Sequence, residues 1–238
     1  MTDTLKGKVV IITGAAHGMG EAIAKTYALE GAVLGLLDRE GEALEKVVHD
    51  IQMAGGKALG QVVDVRDYSA VERAVATVES VLGPVEILVN SAGLGIYKAF
   101  TELTEEDWDT TFDVNVKGTF LMCKAVVPKM ITRGKGLVIN IASLAALILG
   151  FDRGSCYGAS KYAVRGFTYY LFRELRPKGV RVCCLCPGTT DSHFRGKPTG
   201  NPNWMLPQDV ANAALYVATQ RERVNIAEIA FSMITEEW

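Results

Sequence analysis

Tyr157 and Lys161 lie four residues apart in the stretch YGASK, with only small residues between them. On a helix, residues i and i+4 share one face, so a phenol and an ammonium would lie side by side. An isolated tyrosine has a pKa of about 10, and a neighbouring positive charge favours the phenolate and brings that pKa toward neutral pH. The spacing makes Tyr157 an acid/base candidate. A buried aromatic residue followed one turn later by a solvated lysine is the alternative, and this pattern alone does not decide.

A glycine-rich stretch, TGAAHGMG, follows the first apolar run, with glycines at 14, 18 and 20. Glycines there permit a tight turn and close approach of the backbone to a ligand. The free N–H groups and dipole of the following helix attract an anion such as pyrophosphate. Such turns also serve only to pack a helix on a strand, but the position between the first strand and a helix favours dinucleotide binding.

Asp38 ends the second apolar run, about 20 residues beyond the glycine-rich turn, where an acidic side chain commonly binds the adenosine ribose hydroxyls. A carboxylate there repels the 2′-phosphate of NADP, so Asp38 favours NAD as the cofactor. A solvated aspartate at the end of a strand, with no role in binding, is the alternative. Arg39 and His17 argue the other way, because basic groups beside that ribose could accept the phosphate. NADP therefore stays the alternative cofactor.

The elements that must position these residues alternate along the chain. Apolar runs predict strands at 8–13, 32–38, 58–63, 86–90, 136–142, 180–186 and 225–231. Helical patterns lie near 19–30, 41–54, 68–82, 104–131, 156–176 and 207–219. Apolar strands joined by helices indicate a sheet covered on both faces. We expect one α/β domain over residues 1–238, a doubly wound Rossmann fold with a mostly parallel seven-stranded sheet, and a substrate-side loop at 188–206.

Charge and hydropathy narrow the possible partners. The 25 basic and 27 acidic residues nearly cancel, and no Lys/Arg cluster forms the stripe of a nucleic-acid binder. The longest apolar stretch, 137–151, is interrupted by Asn140 and Ser143 and is shorter than the ~18 residues of a spanning helix. With no apolar signal region in MTDTLKGK, we expect a cytoplasmic protein with small-molecule partners, no nucleic acid and no membrane.

The five cysteines suggest reduced thiols, given the absence of an export signal. Cys183 and Cys186 formally make a CxxC, but they lie in the predicted strand VRVCCLC, where residues three apart point to opposite faces. No second Cys/His pair completes a zinc site. We therefore expect strand packing rather than a metal or redox role.

Several motifs together resemble the short-chain dehydrogenase/reductase family over nearly the whole chain. TGAAHGMG matches its TGxxxGxG loop, NSAG at 90–93 resembles its NNAG motif, and YGASK matches its YxxxK. Asn115 in NVKG, Ser143 at the end of NIAS and the PG at 187–188 follow in the family's order.

The resemblance implies hydride transfer between a nicotinamide cofactor and a secondary alcohol or ketone. Tyr157 would be the general acid/base, Ser143 would hydrogen-bond the same substrate oxygen, and Lys161 would lower the tyrosine's pKa and bind the nicotinamide ribose. Asn115 would support a water relay from the lysine. Outside this set, Ser143 would be a buried strand-end hydroxyl and Asn115 a helix-kink or capping residue. The implied cofactor-binding residues are Gly14, His17, Gly18, Met19, Gly20, Asp38, Arg39, Asp64, Val65, Asn90, Ala92, Gly93, Tyr157, Lys161, Pro187, Gly188 and Thr190.

The chain departs from the family pattern in three places. Ser91 replaces the second asparagine of NNAG, which preserves a tight backbone path but removes an amide. Ser143 and Tyr157 are 14 positions apart, one more than the family implies, which predicts a bulge within 144–156. The loop after Thr190 is short and the chain ends soon after its last strand, so the family's usual substrate lid and C-terminal subunit contact are not assigned.

The expected substrate pocket is mostly apolar and has no dedicated carboxylate clamp. Its predicted residues are Leu94, Ile96, Tyr97, Leu144, Ala145, Ile148, Phe151, Cys156 and Phe194. This set predicts a neutral, moderately hydrophobic or hydroxylated alcohol. Arg153 and His193 could meet an acidic group, although solvated loop charges are the alternative for both.

Two other functions compete with the oxidoreductase. A non-catalytic dinucleotide-binding regulatory or scaffold protein could keep the fold, but it would not need Tyr157 and Ser143. A serine hydrolase at Ser143 is disfavoured because no GxSxG elbow surrounds it. The resemblance also implies a homodimer or homotetramer built through the long helices near 104–131 and 156–176.

Overall fold

A computed structural model describes residues 4–148, 152–195 and 198–234. Its strands are β1 Val9–Thr13, β2 Val33–Asp38, β3 Lys57–Val62, β4 Val85–Asn90, β5 Gly136–Ile141, β6 Val180–Pro187 and β7 Glu228–Phe231. Its α-helices are α1 Gly18–Leu29, α2 Gly41–Met53, α3 Tyr68–Leu82, α4 Glu105–Phe112, α5 Thr119–Arg133, α6 Ser155–Leu175 and α7 Pro207–Ala218.

The strands form one sheet in the order β3-β2-β1-β4-β5-β6-β7, and every neighbouring pair is parallel. The order reverses between β1 and β4, and ligands of such sheets bind outside the carboxyl ends of the strands at this reversal. The prediction of a doubly wound, seven-stranded α/β domain is confirmed.

Two apolar layers cover the sheet. On one face, α1, α2 and α7 contribute residues such as Ile23, Leu44 and Val217 to a buried cluster. On the other face, α3 and α5 contribute residues such as Val78 and Met122. The central strand β1 is buried along its whole length, as expected for a parallel sheet with helices on both faces.

The helix predicted near 104–131 consists of α4 and α5 joined by a π-helical segment, Asp113–Gly118. A capping box between Thr104 and Asp107 starts α4. The Thr119 hydroxyl donates to the Asn115 carbonyl oxygen over 2.8 Å. Short π segments change the phase of a helix and recur at functional sites. This one carries Asn115.

The last strand, β7, was predicted at 225–231 but begins at Glu228. At position 225 a side chain, rather than the backbone, makes the hydrogen bonds to β6. Asn225 Oδ1 accepts from the Val182 N–H at 3.0 Å, and its Nδ2 donates to the Val182 carbonyl oxygen at 2.8 Å. The amide of Asn225 thus replaces one rung of the ladder, and regular β6–β7 pairing starts with Cys184 opposite Glu228.

The carboxylate of Asp191 makes hydrogen bonds across the predicted substrate-side loop. Its Oδ1 accepts from the Thr199 N–H and its Oδ2 from the Gly200 N–H, both at 2.7 Å. These bonds, with the Thr199 bond the largest cause, hold the pKa of Asp191 below its usual value. A bridge between Thr190 and Met205 closes the base of the loop.

Within the described residues, no helix combines the length and apolarity that crossing a membrane requires.

Candidate active site

Lys161 lies in the core at the carboxyl end of β5. The residue is 5% exposed, and its Nζ donates to the Ile141 carbonyl oxygen over 3.0 Å. Burial lowers the pKa of Lys161 from 10.5 to about 8, because removal from water penalises the charged form. Nζ lies 5.7 Å from the ring centroid of Tyr157. The predicted pairing of Tyr157 with Lys161 on one face of α6 is therefore present.

Two rings cover Tyr157, which is 8% exposed. The Tyr97 ring centroid lies 5.5 Å away, and the Phe194 ring makes an edge contact at 5.6 Å. Both rings belong to the predicted substrate pocket. The side chain of Tyr157 thus lies in a largely apolar enclosure that limits its contact with water.

Asn115 connects the π segment to the same helix. Its Oδ1 accepts from the Leu94 N–H at 2.8 Å, and its Nδ2 donates to the Leu94 carbonyl oxygen and to Ser160 Oγ, each at 2.9 Å. Ser160 Oγ in turn donates to the Tyr157 carbonyl oxygen at 2.7 Å. The amide fixes the chain after β4 against the start of α6.

Gly93 leaves the space between Asn115 and Lys161 open. A Cβ on Gly93 would lie 3.3 Å from Asn115 Oδ1 and 3.5 Å from Lys161 Nζ. The amide oxygen and the ammonium therefore border one small space beside the cleft described below.

Ser143 caps a short 3₁₀ turn, Leu144–Ala146, that follows β5. Its Oγ accepts from the Ala145 N–H at 3.2 Å, which leaves the hydroxyl proton free to be donated elsewhere. Helix α6 packs on this turn, so Ser143 and Tyr157 come from adjoining elements. Arg153, just before α6, has a left-handed backbone with φ of 62°.

A cleft of about 280 Å³ opens at the carboxyl edge of the sheet, where the strand order reverses. It brings together most of the predicted cofactor residues. Its walls include Gly14, His17, Gly18, Met19, Gly20, Asp38, Arg39, Asp64, Val65, Ala92 and Gly93.

The glycine-rich turn fits the neighbouring chain too closely for side chains. Gly14 has φ of +65°, and a Cβ there would lie 2.8 Å from Ala92 Cα. A Cβ on Gly20 would overlap the Gly14 carbonyl oxygen. His17, which precedes α1, makes no side-chain cap for the helix. The first N–H groups of α1 can therefore serve an anionic ligand, and the turn fits the pyrophosphate of a dinucleotide.

The end of β2 carries charges of both signs. Asp38 accepts from the Ala16 N–H through Oδ2 and from the Glu40 N–H through Oδ1, both at 3.0 Å. His17 Nε2 lies 3.1 Å from Glu40 Oε2. Arg39 also lines the cleft. Asp38 is thus fixed in place, and His17 has a carboxylate partner of its own.

Asp64 is paired with Arg66 at the far wall. Arg66 Nη2 lies 2.6 Å from Asp64 Oδ2, and Arg66 Nε contacts both carboxylate oxygens at 3.0 Å. These hydrogen bonds hold the pKa of Asp64 below its usual value. The pair rigidifies the chain after β3 next to Val65.

Six predicted cofactor residues lie outside the wall of this cleft, among them Tyr157 and Lys161, whose positions are given above. Asn90 is 3% exposed, and its Nδ2 donates to Asn140 Oδ1 at 2.8 Å, so its side chain enters the core while Ser91, Ala92 and Gly93 line the cleft. Pro187, Gly188 and Thr190 lie at the carboxyl end of β6, where the Gly188 N–H donates to the Phe231 carbonyl oxygen.

Two residues of the site were not predicted from the sequence. Thr13 Oγ1 accepts from the Ser91 and Ala92 N–H groups at 3.1 and 3.0 Å, which joins the glycine-rich turn to the chain after β4. Ser192 lines the cleft opposite Gly18. Thr13 precedes the first glycine of a quoted motif and could have been found there. Ser192 lies within the irregular loop predicted at 188–206, where no local pattern singles it out.

The predicted substrate residues are only partly described. Leu94, His193 and Phe194 line the cleft, Leu144 and Ala145 form the buried turn after Ser143, and the His193 ring lies 5.0 Å from that of His17. Cys156 is buried on α6. Phe151 and part of the predicted bulge at 144–156 lie outside the described residues.

Known proteins are similar to this chain in sequence and in fold. The family model described as short chain dehydrogenase matches residues 8–201. D-threitol dehydrogenase of Mycolicibacterium smegmatis is 36% identical over 229 residues, which cover 90% of this chain and 87% of that protein.

Two solved structures are also similar. An alcohol dehydrogenase from the archaeon Thermococcus sibiricus, complexed with 5-hydroxy-NADP, gives a TM-score of 0.90 at 31% identity, covering 97% of this chain and 98% of that one. A short chain dehydrogenase from Mycobacterium paratuberculosis, bound to NAD, gives 0.89 at 27% identity, covering 95% of this chain and 97% of that one.

Proposed function

Because the chain belongs to the short-chain dehydrogenase/reductase family, and is therefore an oxidoreductase, we propose that it interconverts a secondary alcohol and a ketone with Tyr157, Ser143, Lys161 and Asn115 as its catalytic residues. The observation that carries this proposal is the buried Lys161, whose Nζ lies 5.7 Å from the Tyr157 ring centroid. A lysine is rarely placed in a core without a purpose, since its burial costs free energy.

A bound nicotinamide dinucleotide would supply the hydride acceptor or donor. In the oxidation direction, the phenolate of Tyr157 takes the proton of the substrate hydroxyl, and the ammonium of Lys161 stabilises that phenolate. Ser143 donates its free hydroxyl proton to the substrate oxygen, because its own oxygen already accepts from the Ala145 N–H. The enclosure by Tyr97 and Phe194 keeps water from competing with the substrate.

Asn115 supports the return of the proton to solvent. Its Oδ1 has a second lone pair beyond the bond from the Leu94 N–H. This oxygen and Lys161 Nζ border the same space at Gly93. A water molecule there would receive a proton from the lysine and pass it outward.

NAD is the cofactor that the charges favour, with NADP as the alternative. Two backbone N–H groups hold the Asp38 carboxylate at the end of β2, which supports a role in binding the ribose hydroxyls, and Glu40 adds a second carboxylate that pairs with His17. Arg39 is the remaining basic group at that end of the cleft. The two solved relatives carry an NADP derivative and NAD, so the cofactor has to be measured for this chain.

The substrate that fits best is a neutral alcohol, either moderately hydrophobic or hydroxylated. The rings of Tyr97 and Phe194 beside Tyr157 favour an uncharged carbon skeleton. The relative from Mycolicibacterium smegmatis acts, by its name, on D-threitol, a hydroxylated alcohol. Small polyols and plain secondary alcohols are therefore the first substrates to try.

The same proposal covers assembly and location. Exposed aromatic side chains on α5 and α6 support a homodimer or homotetramer, and the free thiols of all five cysteines support a cytoplasmic location. A non-catalytic dinucleotide binder is disfavoured, because it would have no need to bury Lys161 beside Tyr157.

The test is nicotinamide reduction with NAD and with NADP across a panel of secondary alcohols and polyols. We expect turnover with NAD that falls about 100- to 10,000-fold in Tyr157→Phe, the range that a positioned acid/base contributes. Tyr162→Phe, five residues along the same helix and 49% exposed, is the matched control and should keep wild-type turnover.

Three results would change the proposal. Full turnover in Tyr157→Phe would remove its acid/base role. A preference for NADP would mean that Arg39 and His17, rather than Asp38, determine which cofactor binds. Tight binding of one dinucleotide without turnover of any alcohol would favour the regulatory alternative.

A further inference from the structure

We propose that Cys184, Cys186 and Glu228 form a binding site for a soft divalent cation, represented by Zn²⁺, between β6 and β7. Cys184 Sγ lies 3.7 Å from Cys186 Sγ, and Cys186 Sγ lies 3.8 Å from Glu228 Oε2. One donor atom from each residue lies within 4.8 Å of the others. The three donor atoms thus lie close enough together to bind one ion.

The strand register creates this convergence. In β6, Cys184 and Cys186 are two residues apart and share one face of the sheet, where they join a buried cluster with Ala142 and Val164. Cys183 points to the opposite face, into the cluster that contains Tyr27. Cys184 pairs directly with Glu228 across the β6–β7 ladder. Cys183 and Cys186, which form the CxxC of the sequence, therefore do not act together in this site. The two thiol donors are Cys184 and Cys186.

The spacing matches a metal chelate. Two sulfurs that are each about 2.3 Å from a tetrahedral Zn²⁺ lie about 3.8 Å apart, and the observed separation is 3.7 Å. Two thiolates and one carboxylate form a donor set that Zn²⁺ accepts and that Mg²⁺ or Ca²⁺ does not. Three protein ligands leave a fourth position for water.

The charges of the site balance when a divalent cation binds. Arg165 pairs with Glu228 through Nε at 2.6 Å and Nη2 at 3.2 Å, so the protonated site is neutral overall. Binding of one M²⁺ releases two thiol protons to solvent. The site is then neutral again, and no net charge has been added to the core near Lys161.

Glu228 also provides an entry route. Both thiols are fully buried, whereas the Glu228 and Arg165 side chains are 17% and 29% exposed. A cation can meet the carboxylate first if one Arg165 bond opens. Strand β7 is the edge of the sheet, where such a local opening disturbs few neighbours.

A disulfide is a poorer use of the two thiols. Successive residues of a parallel strand rise about 3.3 Å, which puts the Cα atoms of Cys184 and Cys186 about 6.6 Å apart, close to the upper limit for a disulfide. The sulfurs would also have to approach to about 2.05 Å. A cation satisfies both thiols without moving the strand.

The test uses Co²⁺ as the probe on the full chain, kept reduced with a phosphine and first treated with a chelator. Thiolate-bound tetrahedral Co²⁺ absorbs strongly in the visible and near-ultraviolet, and Zn²⁺ should then displace it. We expect one Co²⁺ per chain, with this absorption abolished in Cys184→Ala and in Cys186→Ala. Cys183→Ala, the neighbouring thiol on the opposite face, should bind as the wild type does.

Two further measurements distinguish binding at the proposed site from non-specific binding of the cation. Loss of two protons per cation predicts that the apparent Kd falls about 100-fold for each unit of pH rise below the thiol pKa values. Zn²⁺ should also raise the melting temperature of the wild type and of Cys183→Ala, but not that of Cys186→Ala. Circular dichroism of the variants checks that they are folded.

Either of two results overturns the proposal. Failure of the folded wild type to bind Co²⁺ at micromolar concentrations would leave the two thiols as an ordinary packed pair. Binding that survives in both Cys184→Ala and Cys186→Ala would place the cation elsewhere. Because no activity assay is involved, these outcomes are independent of the alcohol dehydrogenase proposal.

Discussion

Lys161 shows how the proposed catalytic position lowers the stability of the folded chain. The residue is 5% exposed, and its ammonium donates a 3.0 Å hydrogen bond to the Ile141 carbonyl oxygen. Burial is the largest influence on its pKa and lowers it to about 8. A side chain whose charged form is disfavoured in the core is kept there at the expense of stability, which is common at functional sites.

Lys161→Met should therefore abolish turnover and at the same time stabilise the cofactor-free protein at neutral pH. The pKa falls from 10.5 in the unfolded chain to about 8 in the folded chain, a burial penalty of roughly 3 kcal/mol. Loss of the bond to Ile141 offsets about 1 kcal/mol of this. Chemical denaturation of both proteins from pH 7 to 11 measures the difference.

The sign of the pH dependence follows from the lowered pKa. Below pH 8, Lys161 is charged in both the folded and the unfolded wild type, and the gain in free energy of unfolding from Lys161→Met is at its full size. Between pH 8 and 10.5 the unfolded wild type binds more protons than the folded one, so wild-type stability rises and the advantage shrinks. A variant that is less stable than the wild type at pH 7, or an advantage independent of pH, would contradict this account.

At the scale of elements, the glycine-rich turn is shaped by packing as much as by its proposed ligand. Thr13 joins β1 to the chain after β4, and Gly14 approaches Ala92 too closely for a side chain. Gly20, at the start of α1, faces the Gly14 carbonyl oxygen. The turn can close only if this helix position has no Cβ.

Gly20→Ala is expected to lower the free energy of unfolding by about 1–3 kcal/mol or more, because backbone atoms cannot yield as a side chain can. It should also weaken dinucleotide binding at least tenfold, because the first turn of α1 is displaced. Gly41→Ala is the control: its Cβ would meet only the Val62 Cγ2 methyl, at 3.2 Å. Denaturation and fluorescence titration with NAD measure both effects, and equal behaviour of the two variants would refute the packing argument.

The sequence predicted those features whose signals are local. The Tyr157–Lys161 pair depends on helical spacing, the glycine turn on a contiguous motif, and the seven strands on apolar runs. The π segment around Asn115 was not predicted, because nothing in its composition differs from an ordinary helix. The late start of β7 depends on the Asn225 side chain pairing with Val182. That contact joins distant parts of the chain and cannot be found in either stretch alone.

At the scale of the whole molecule, one side of the domain displays aromatic side chains without an obvious intramolecular need. On α6, Tyr162, Tyr169 and Tyr170 are 49%, 37% and 73% exposed, and on α5 Phe120 is 45% exposed. Tyr162, Tyr169 and Tyr170 recur at helical spacing and so share one face. Contiguous aromatic surface of this kind is typical of protein interfaces.

We therefore expect light scattering to give two or four times the chain mass of 25.7 kDa. Replacing Tyr162 and Tyr170 together with Arg should shift the population to monomer, since burying two unpaired charges in a symmetric interface opposes association. Met53→Arg, on α2 and 75% exposed, should leave the assembly unchanged. A wild-type monomer would refute the interface, and loss of assembly in the Met53 variant would move it to the opposite side of the domain.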